Sequence, residues 1–125
     1  MILEGKVVSG MGNFSYWIEK LLPYYTQKTG VRLFPGTLNV QLPDAWSLPA
    51  RVIRLEGHEY DSHVSVNIVP CTINDLPAFI LRTDANERER GHHPKTIIEI
   101  AASLKLRDHF HLRDGDTVRI EVEPN

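Results

Sequence analysis

The sequence has 125 residues, which suits one core, so we expect residues 1–125 to form a single domain. An apolar share of 42% excludes a disordered chain, and a formal net charge of −2 argues against a nucleic-acid partner. No apolar run reaches the ~20 residues that span a bilayer, and the single cysteine, Cys71, excludes an internal disulfide. We therefore expect a cytoplasmic protein with no membrane partner, and the composition leaves its oligomeric state open.

The N-terminal residues 2–9 mix apolar and β-branched side chains and predict a first strand. The segment Gly10, Met11, Gly12 and Asn13 follows, and its two glycines would let backbone N–H groups approach an anion. A lone pair of glycines is also common in ordinary turns. We treat this segment as a candidate phosphate loop.

A short helix is predicted over residues 23–29, with Pro23 as its first residue and Gly30 as its stop. Asn13 or Ser15 is a candidate cap for an earlier helix. Because a proline disfavours a helix interior, we expect residues 15–22 to be irregular or extended.

The segment Phe34-Pro35-Gly36-Thr37-Leu38-Asn39-Val40 organises the rest of the chain. Pro35 and Gly36 predict a turn, and residues 37–42 alternate polar and apolar positions as a half-buried strand does. The alternation places Leu38, Val40 and Leu42 in the core, and Thr37, Asn39 and Gln41 on the opposite face. Thr37 and Asn39 offer neutral oxygen atoms that Mg²⁺ accepts when a nucleotide's phosphates supply the negative charge. The alternative is an edge strand with a polar outer face.

The remaining strands are short and separated by turn signals. They cover residues 51–56, 63–69, 71–73, 78–83, 96–101 and 117–122. Turns are predicted at residues 74–77 and 114–116, and a helical turn is predicted at residues 104–110. Trp46 is expected to lie as a lid over the core. The sequence therefore predicts a mainly β fold, a small six- to seven-stranded barrel with one short helix.

Three further features carry candidate chemistry. Glu99 is a carboxylate inside an apolar strand, where it must face solvent or have a role. The polar connector at residues 84–94 is either a functional lid or a solvated loop. His109 with His111, and His92 with His93, offer an alternative zinc site.

The ordered set of motifs resembles the archaeal-type CTP-dependent riboflavin kinases over nearly the whole chain. The segment from Phe34 to Val40 is the most specific match. The others are Gly10-Met11-Gly12, His93-Pro94, Ile98-Glu99-Ile100-Ala101, Leu106-Arg107 and Asp114-Gly115-Asp116. The resemblance implies a cradle-loop barrel that transfers the γ-phosphate of CTP to riboflavin, giving FMN and CDP.

The resemblance also implies residue roles. Thr37 and Asn39 would bind the cofactor Mg²⁺, and Glu99 would contact the ribityl end of the flavin and act as general base. The nucleotide would contact Gly10, Met11, Gly12, Asn13, Leu104, Lys105, Leu106 and Arg107.

The sequence departs from the family at flavin-binding positions. The family's flavin-contacting threonine falls at Gly91 by spacing, or is Thr83 displaced, and His93 is a further candidate contact. The first loop reads Asn13-Phe14-Ser15, where the family has Glu-Gly and a basic residue. Two alternatives therefore stay open: a related CTP-dependent kinase for another small alcohol, and a non-catalytic ligand-binding barrel.

Overall fold

A computed structural model describes residues 1–10, 14–88 and 94–123. Within these ranges seven strands form one antiparallel sheet: β1 (Ile2–Val8), β2 (Leu38–Gln41), β3 (Ile53–Leu55), β4 (Val66–Ile73), β5 (Leu76–Thr83), β6 (Ile97–Ala101) and β7 (Thr117–Val122). The strand order is β3-β4-β5-β6-β2-β1-β7, and β4 also pairs with β7. That pairing closes six of the described strands into a barrel and leaves β3 attached to β4. The predicted mainly β barrel is confirmed.

Strand β4 belongs to two parts of the sheet. Its first half pairs with β3 through Val66 to Ile68, and its second half pairs with β7 through Cys71 to Ile73. Pro70 lies between the two pairings and still faces Phe79 of β5. A proline lacks an N–H group and weakens a continuous ladder, so the point where the strand changes partner is where it is best tolerated.

The described residues contain four short α-helices: α1 (Phe14–Lys20), α2 (Leu22–Thr29), α3 (Asp84–Glu87) and α4 (Leu106–His109). The helix predicted at residues 23–29 is confirmed, with Gly30 ending it at a φ of 73°. None of the described helices is long and apolar enough to cross a membrane.

The expectation of irregular or extended chain at residues 15–22 was wrong. Residues 14–20 form α1, and Ser15 lies inside it rather than capping it. The chain bends at Leu21, which precedes α2, and Pro23 sits in the first turn of α2. A proline there needs no intrahelical N–H bond, so it separates two helices instead of preventing the first.

Alternation along the strands produces two apolar clusters. The barrel interior contains Leu38, Val40, Leu42, Ile98, Ile100, Val118, Ile120 and Val122. The outer cluster packs Ile18 and Tyr25 of the first two helices against Leu81 and Ala101 of β5 and β6. Leu38, Val40 and Leu42, which were predicted to face the core, are buried in this interior. Because helices cover part of the outer face, outward positions on β2 and β6 are also removed from solvent.

Trp46 and Arg82 close one end of the barrel. Trp46 is 5% exposed and belongs to the interior cluster, as predicted. The guanidinium of Arg82 lies 5.0 Å from the centre of its ring and donates to the Trp46 carbonyl oxygen. Arg82 also donates to Glu87 and to the carbonyl oxygen atoms of Lys95 and Ile97. A buried cation with these acceptors stabilises the end of the barrel.

Candidate active site

Strand register places the candidate acid beside the candidate metal ligand. Asn39 of β2 and Glu99 of β6 are direct partners in the antiparallel ladder. Directly opposed residues on one face have Cβ atoms about 5 Å apart. Leu81 of β5 lies opposite Glu99 on its other side. Glu99 therefore sits on the outer face of the barrel, between an amide and an aliphatic side chain.

Thr37 joins the same group. Its hydroxyl donates a hydrogen bond to Oε1 of Glu99 at 3.0 Å. Glu99 is 4% exposed, and burial raises the pKa of its carboxyl to about 7, while the hydrogen bond from Thr37 partly opposes that rise. A carboxyl with this pKa exchanges its proton readily near neutral pH.

Asn39 carries a side-chain oxygen atom that lacks a partner within the described part of the chain. The side chain is 6% exposed, and its Oδ1 has no hydrogen-bond partner among the described residues. A buried carbonyl oxygen without a donor is costly, and a bound cation would satisfy it. Together with the Thr37 hydroxyl it forms a pair of neutral oxygen donors. Neutral oxygen donors of this kind fit Mg²⁺ when phosphates supply the negative charge.

Gly10 touches this group from the N-terminal side. A Cβ atom on Gly10 would lie 2.1 Å from Nδ2 of Asn39 and 2.8 Å from its Cγ. Such a contact is impossible without movement, so only glycine lets the backbone approach the amide this closely. The start of the glycine segment is therefore packed directly on a candidate metal ligand.

A cavity of about 410 Å³ opens beside Thr37. Its walls come from the turn before β2 and from the segment that leads into α4. The lining residues are Ser15, Phe34, Pro35, Gly36, Thr37, Leu38, Ile100, Leu104, Lys105, Leu106 and Arg107. All four residues of the predicted second nucleotide segment line it, and two of them are cationic. A cavity of this size suits a small organic ligand.

Comparison with known proteins identifies the family of this chain. The family model CTP-dep_RFKase, described as a domain of unknown function (DUF120), matches residues 7–122. The chain belongs to this family. Among curated relatives, it is 34% identical to a riboflavin kinase of Methanosarcina barkeri over 97% of the chain and 56% of the relative. It is 33% identical to one of Pyrobaculum arsenaticum, over 96% and 60%, and 34% identical to one of Pyrococcus abyssi, over 96% and 58%.

This member of the CTP-dep_RFKase family spans a little over half the length of the curated relatives it matches. The family membership found by comparison is the one that the ordered motifs indicated. It places the matched residues in one family domain, and it assigns no role to any single side chain.

The turn before β2 differs from its prediction in one respect. Gly36 is not among the described residues with positive φ, so the backbone there does not require glycine for its conformation. A Cβ on Gly36 would instead lie 3.2 Å from the Phe34 ring, and its N–H donates to the Phe34 carbonyl oxygen at 2.8 Å. The reason for glycine is close packing against an aromatic side chain.

Thr83, one of the proposed flavin contacts, lies at the end of β5. The Thr83 hydroxyl accepts a hydrogen bond from the N–H of Asn86 and caps α3. His93 lies outside the described residues, as do Met11, Gly12, Asn13 and Gly91.

The zinc alternative gains no support within the described ranges. There, no group of three histidine, cysteine or acidic side chains could hold a metal ion. His109 is exposed at the end of α4, and His111 is exposed after it, so the two do not share a strand face.

Two features of the site were missed by sequence reasoning. The buried hydroxyl of Tyr25 lies close enough to Glu99 for the carboxylate charge to raise the pKa of the tyrosine. Asp114 accepts hydrogen bonds from both Ser9 and Arg107 and so links them. A tyrosine in an amphipathic helix and an aspartate in a turn are ordinary in sequence, and neither pattern distinguishes such contacts from solvent-facing positions.

Proposed function

We propose that this chain is a CTP-dependent riboflavin kinase. It would transfer the γ-phosphate of CTP to the terminal ribityl hydroxyl of riboflavin, giving FMN and CDP. The whole activity is proposed here because the chain covers a little over half of each riboflavin kinase that it matches. The observation that carries the proposal is the convergence of Thr37, Asn39 and Glu99 beside a cavity with cationic walls.

Phosphoryl transfer asks the protein mainly to position groups and to balance charge. Thr37 and Asn39 would hold Mg²⁺, which when bound supplies charge neutralisation to the phosphates. The Thr37 hydroxyl donates a hydrogen bond to Glu99, so the lone pairs of the hydroxyl oxygen remain available to a cation. The chain itself would contribute Lys105 and Arg107 from the cavity wall, and the backbone N–H groups of the glycine segment.

Glu99 would accept the proton of the attacking hydroxyl. Its carboxyl is buried, hydrogen-bonded to Thr37 and opposite Asn39, so a hydroxyl group that reached it would also lie near the two residues proposed to hold Mg²⁺. General bases typically contribute about 10²–10⁴-fold to a rate. Glu99→Gln keeps the shape and removes the base, so turnover should fall by about that factor while nucleotide affinity changes little.

Glu121 offers a matched control for that variant. Glu121 is an exposed carboxylate on β7 and does not line the cavity. Glu121→Gln therefore removes the same charge without changing the cavity wall. Its turnover should equal that of the unmodified protein. Equal losses of turnover and nucleotide affinity in Glu99→Gln would contradict a base.

One observation favours a different alcohol as the substrate that receives the phosphoryl group. The oxygen of the Thr83 hydroxyl already accepts the N–H of Asn86, so the candidate flavin threonine is engaged in capping α3. The same nucleotide and metal groups would serve a kinase for another small alcohol. The acceptor is therefore the part of the proposal that most needs a direct test.

The deciding experiment incubates the protein with Mg²⁺, riboflavin and each of the four nucleoside triphosphates, and measures FMN by chromatography with fluorescence detection. We expect FMN with CTP and far less with the other three. If no FMN forms, a melting-temperature shift with CTP and Mg²⁺ separates the remaining candidates. A shift favours another alcohol, and no shift favours a non-catalytic barrel.

A further inference from the structure

The carboxylate of Asp114 joins the segment that follows β1 to the segment that lines one wall of the cavity. Its Oδ2 accepts a hydrogen bond from the Ser9 hydroxyl at 2.5 Å, and its Oδ1 accepts one from Nη2 of Arg107 at 2.6 Å. Ser9 directly precedes Gly10, which packs on Asn39, and Arg107 lines the cavity. One side chain thus holds both the start of the glycine segment and a cation of the cavity wall.

The turn that carries Asp114 is fixed to the end of β1. Gly115 has a φ of 92°, a conformation that glycine adopts without strain. Its N–H donates to the Val7 carbonyl oxygen at 2.7 Å, and the Val7 N–H donates to the Asp116 carbonyl oxygen at 2.8 Å. These backbone bonds bring Asp114 to Ser9 although 105 positions separate the two in sequence.

We infer that Asp114 is a positioning residue for the nucleotide, holding Ser9 and Arg107 in place so that Gly10, packed on Asn39, and the cavity wall are set before the triphosphate arrives. The inference rests on the proposed function, because it takes the cavity as the nucleotide site. Asp114 acts through the two residues it bonds, and the nucleotide would contact Arg107 and Gly10. Preset walls reduce the ordering that binding would otherwise require.

The charge of Asp114 and its positioning role predict opposite effects on nucleotide binding. The Ser9 hydroxyl, and then the Arg107 guanidinium, hold the pKa of this carboxyl below its usual range, so it is ionised at neutral pH. A negative charge near a site for a polyanion opposes binding through its field. Neutralising Asp114 should therefore strengthen nucleotide binding if only its charge matters. If it positions Ser9 and Arg107, the same change should weaken binding.

The test compares Asp114→Asn with Asp116→Asn. Asp116 lies on the same turn and carries the same charge, but its Oδ2 accepts from the N–H of Arg113 at 2.8 Å instead. We expect the KM for CTP to rise about tenfold in Asp114→Asn, with kcat changed by less than about twofold. In Asp116→Asn the KM should stay the same or fall. An unchanged or lower KM in Asp114→Asn overturns the inference.

Two further measurements keep the result interpretable. Ser9→Ala should reproduce part of the rise in KM and add nothing in the Asp114→Asn background, because both changes break one link. Without any ligand, the Gly10 amide should exchange with solvent faster in Asp114→Asn than in Asp116→Asn. If the unmodified protein makes no FMN, the proposed function fails. Equal Gly10 exchange rates in the two variants would overturn the positioning role, whether or not FMN is made.

Discussion

Replacing Tyr25 by phenylalanine should raise the stability of the protein. Tyr25 has no exposed surface, and its hydroxyl has no hydrogen-bond partner among the described residues. Burial, followed by the nearby Tyr60 and Glu99, raises the pKa of Tyr25 far above its usual value, so the hydroxyl stays protonated. The buried hydroxyl has therefore lost its bonds to water without gaining a partner from the described residues, and phenylalanine keeps the ring while removing the hydroxyl.

The expected gain can be estimated from two opposing effects. An unsatisfied buried polar group costs about 1–3 kcal/mol. Removing the hydroxyl leaves a void of roughly 10 Å³, which costs about 0.3 kcal/mol. A net gain of about 1 kcal/mol or more follows. Since the entropy of unfolding for 125 residues is about 0.26 kcal/mol/K, the melting temperature should rise by about 4 °C.

Differential scanning calorimetry measures this change, with Tyr24→Phe as the control. Tyr24 precedes Tyr25 on α2 and is half-buried, packed at a 6.1 Å centroid distance from Tyr60. Its replacement should shift the free energy of unfolding by no more than about 0.5 kcal/mol. A lower melting temperature for Tyr25→Phe would refute the reasoning, because it would show that the hydroxyl is satisfied in the folded protein.

Four other outcomes are expected. Gly10→Ala should weaken CTP–Mg²⁺ binding in calorimetric titration, since a Cβ would come within 2.1 Å of the Asn39 amide and displace it. Asn39→Ala should abolish Mg²⁺-dependent transfer while circular dichroism stays unchanged, and normal turnover would refute the metal assignment. Arg82→Met should lower the free energy of unfolding, measured in urea, by about 3–5 kcal/mol, because Glu87 and buried carbonyl groups lose their donor. The Cys71 thiol, whose pKa burial raises to about 12, should react with iodoacetamide only as fast as the protein unfolds.

Gln41→Ala is the control for Asn39→Ala, since Gln41 follows two positions later on β2, outside the cavity lining. It should retain transfer. A loss of less than about 1 kcal/mol in Arg82→Met would show that its bonds add little to stability. Rapid labelling of Cys71 under native conditions would contradict its burial, and unchanged binding in Gly10→Ala would contradict the close packing on Asn39.

Much of the barrel could be read from local patterns. Alternation in residues 37–42 gave the correct buried face, because side chains on a strand point to opposite sides with a period of two. Turn residues were informative for the same reason: Asn74 and Asp75 both adopt positive φ in the β4–β5 hairpin. At residues 15–22 the local rule failed, since a single proline is compatible with two helices that meet at a bend.

The candidate metal pair was predicted from spacing on one strand, and the ordered motifs supplied the family. By itself the sequence thus determined the strands, the faces they bury and the oxygen atoms offered by Thr37 and Asn39. Only the tertiary structure decided what surrounds those atoms. Thr37 bonds Glu99 across 62 positions, and Ser9 bonds Asp114 across 105. Such contacts depend on strand register and barrel closure, which bring distant segments together and leave no local pattern in the chain.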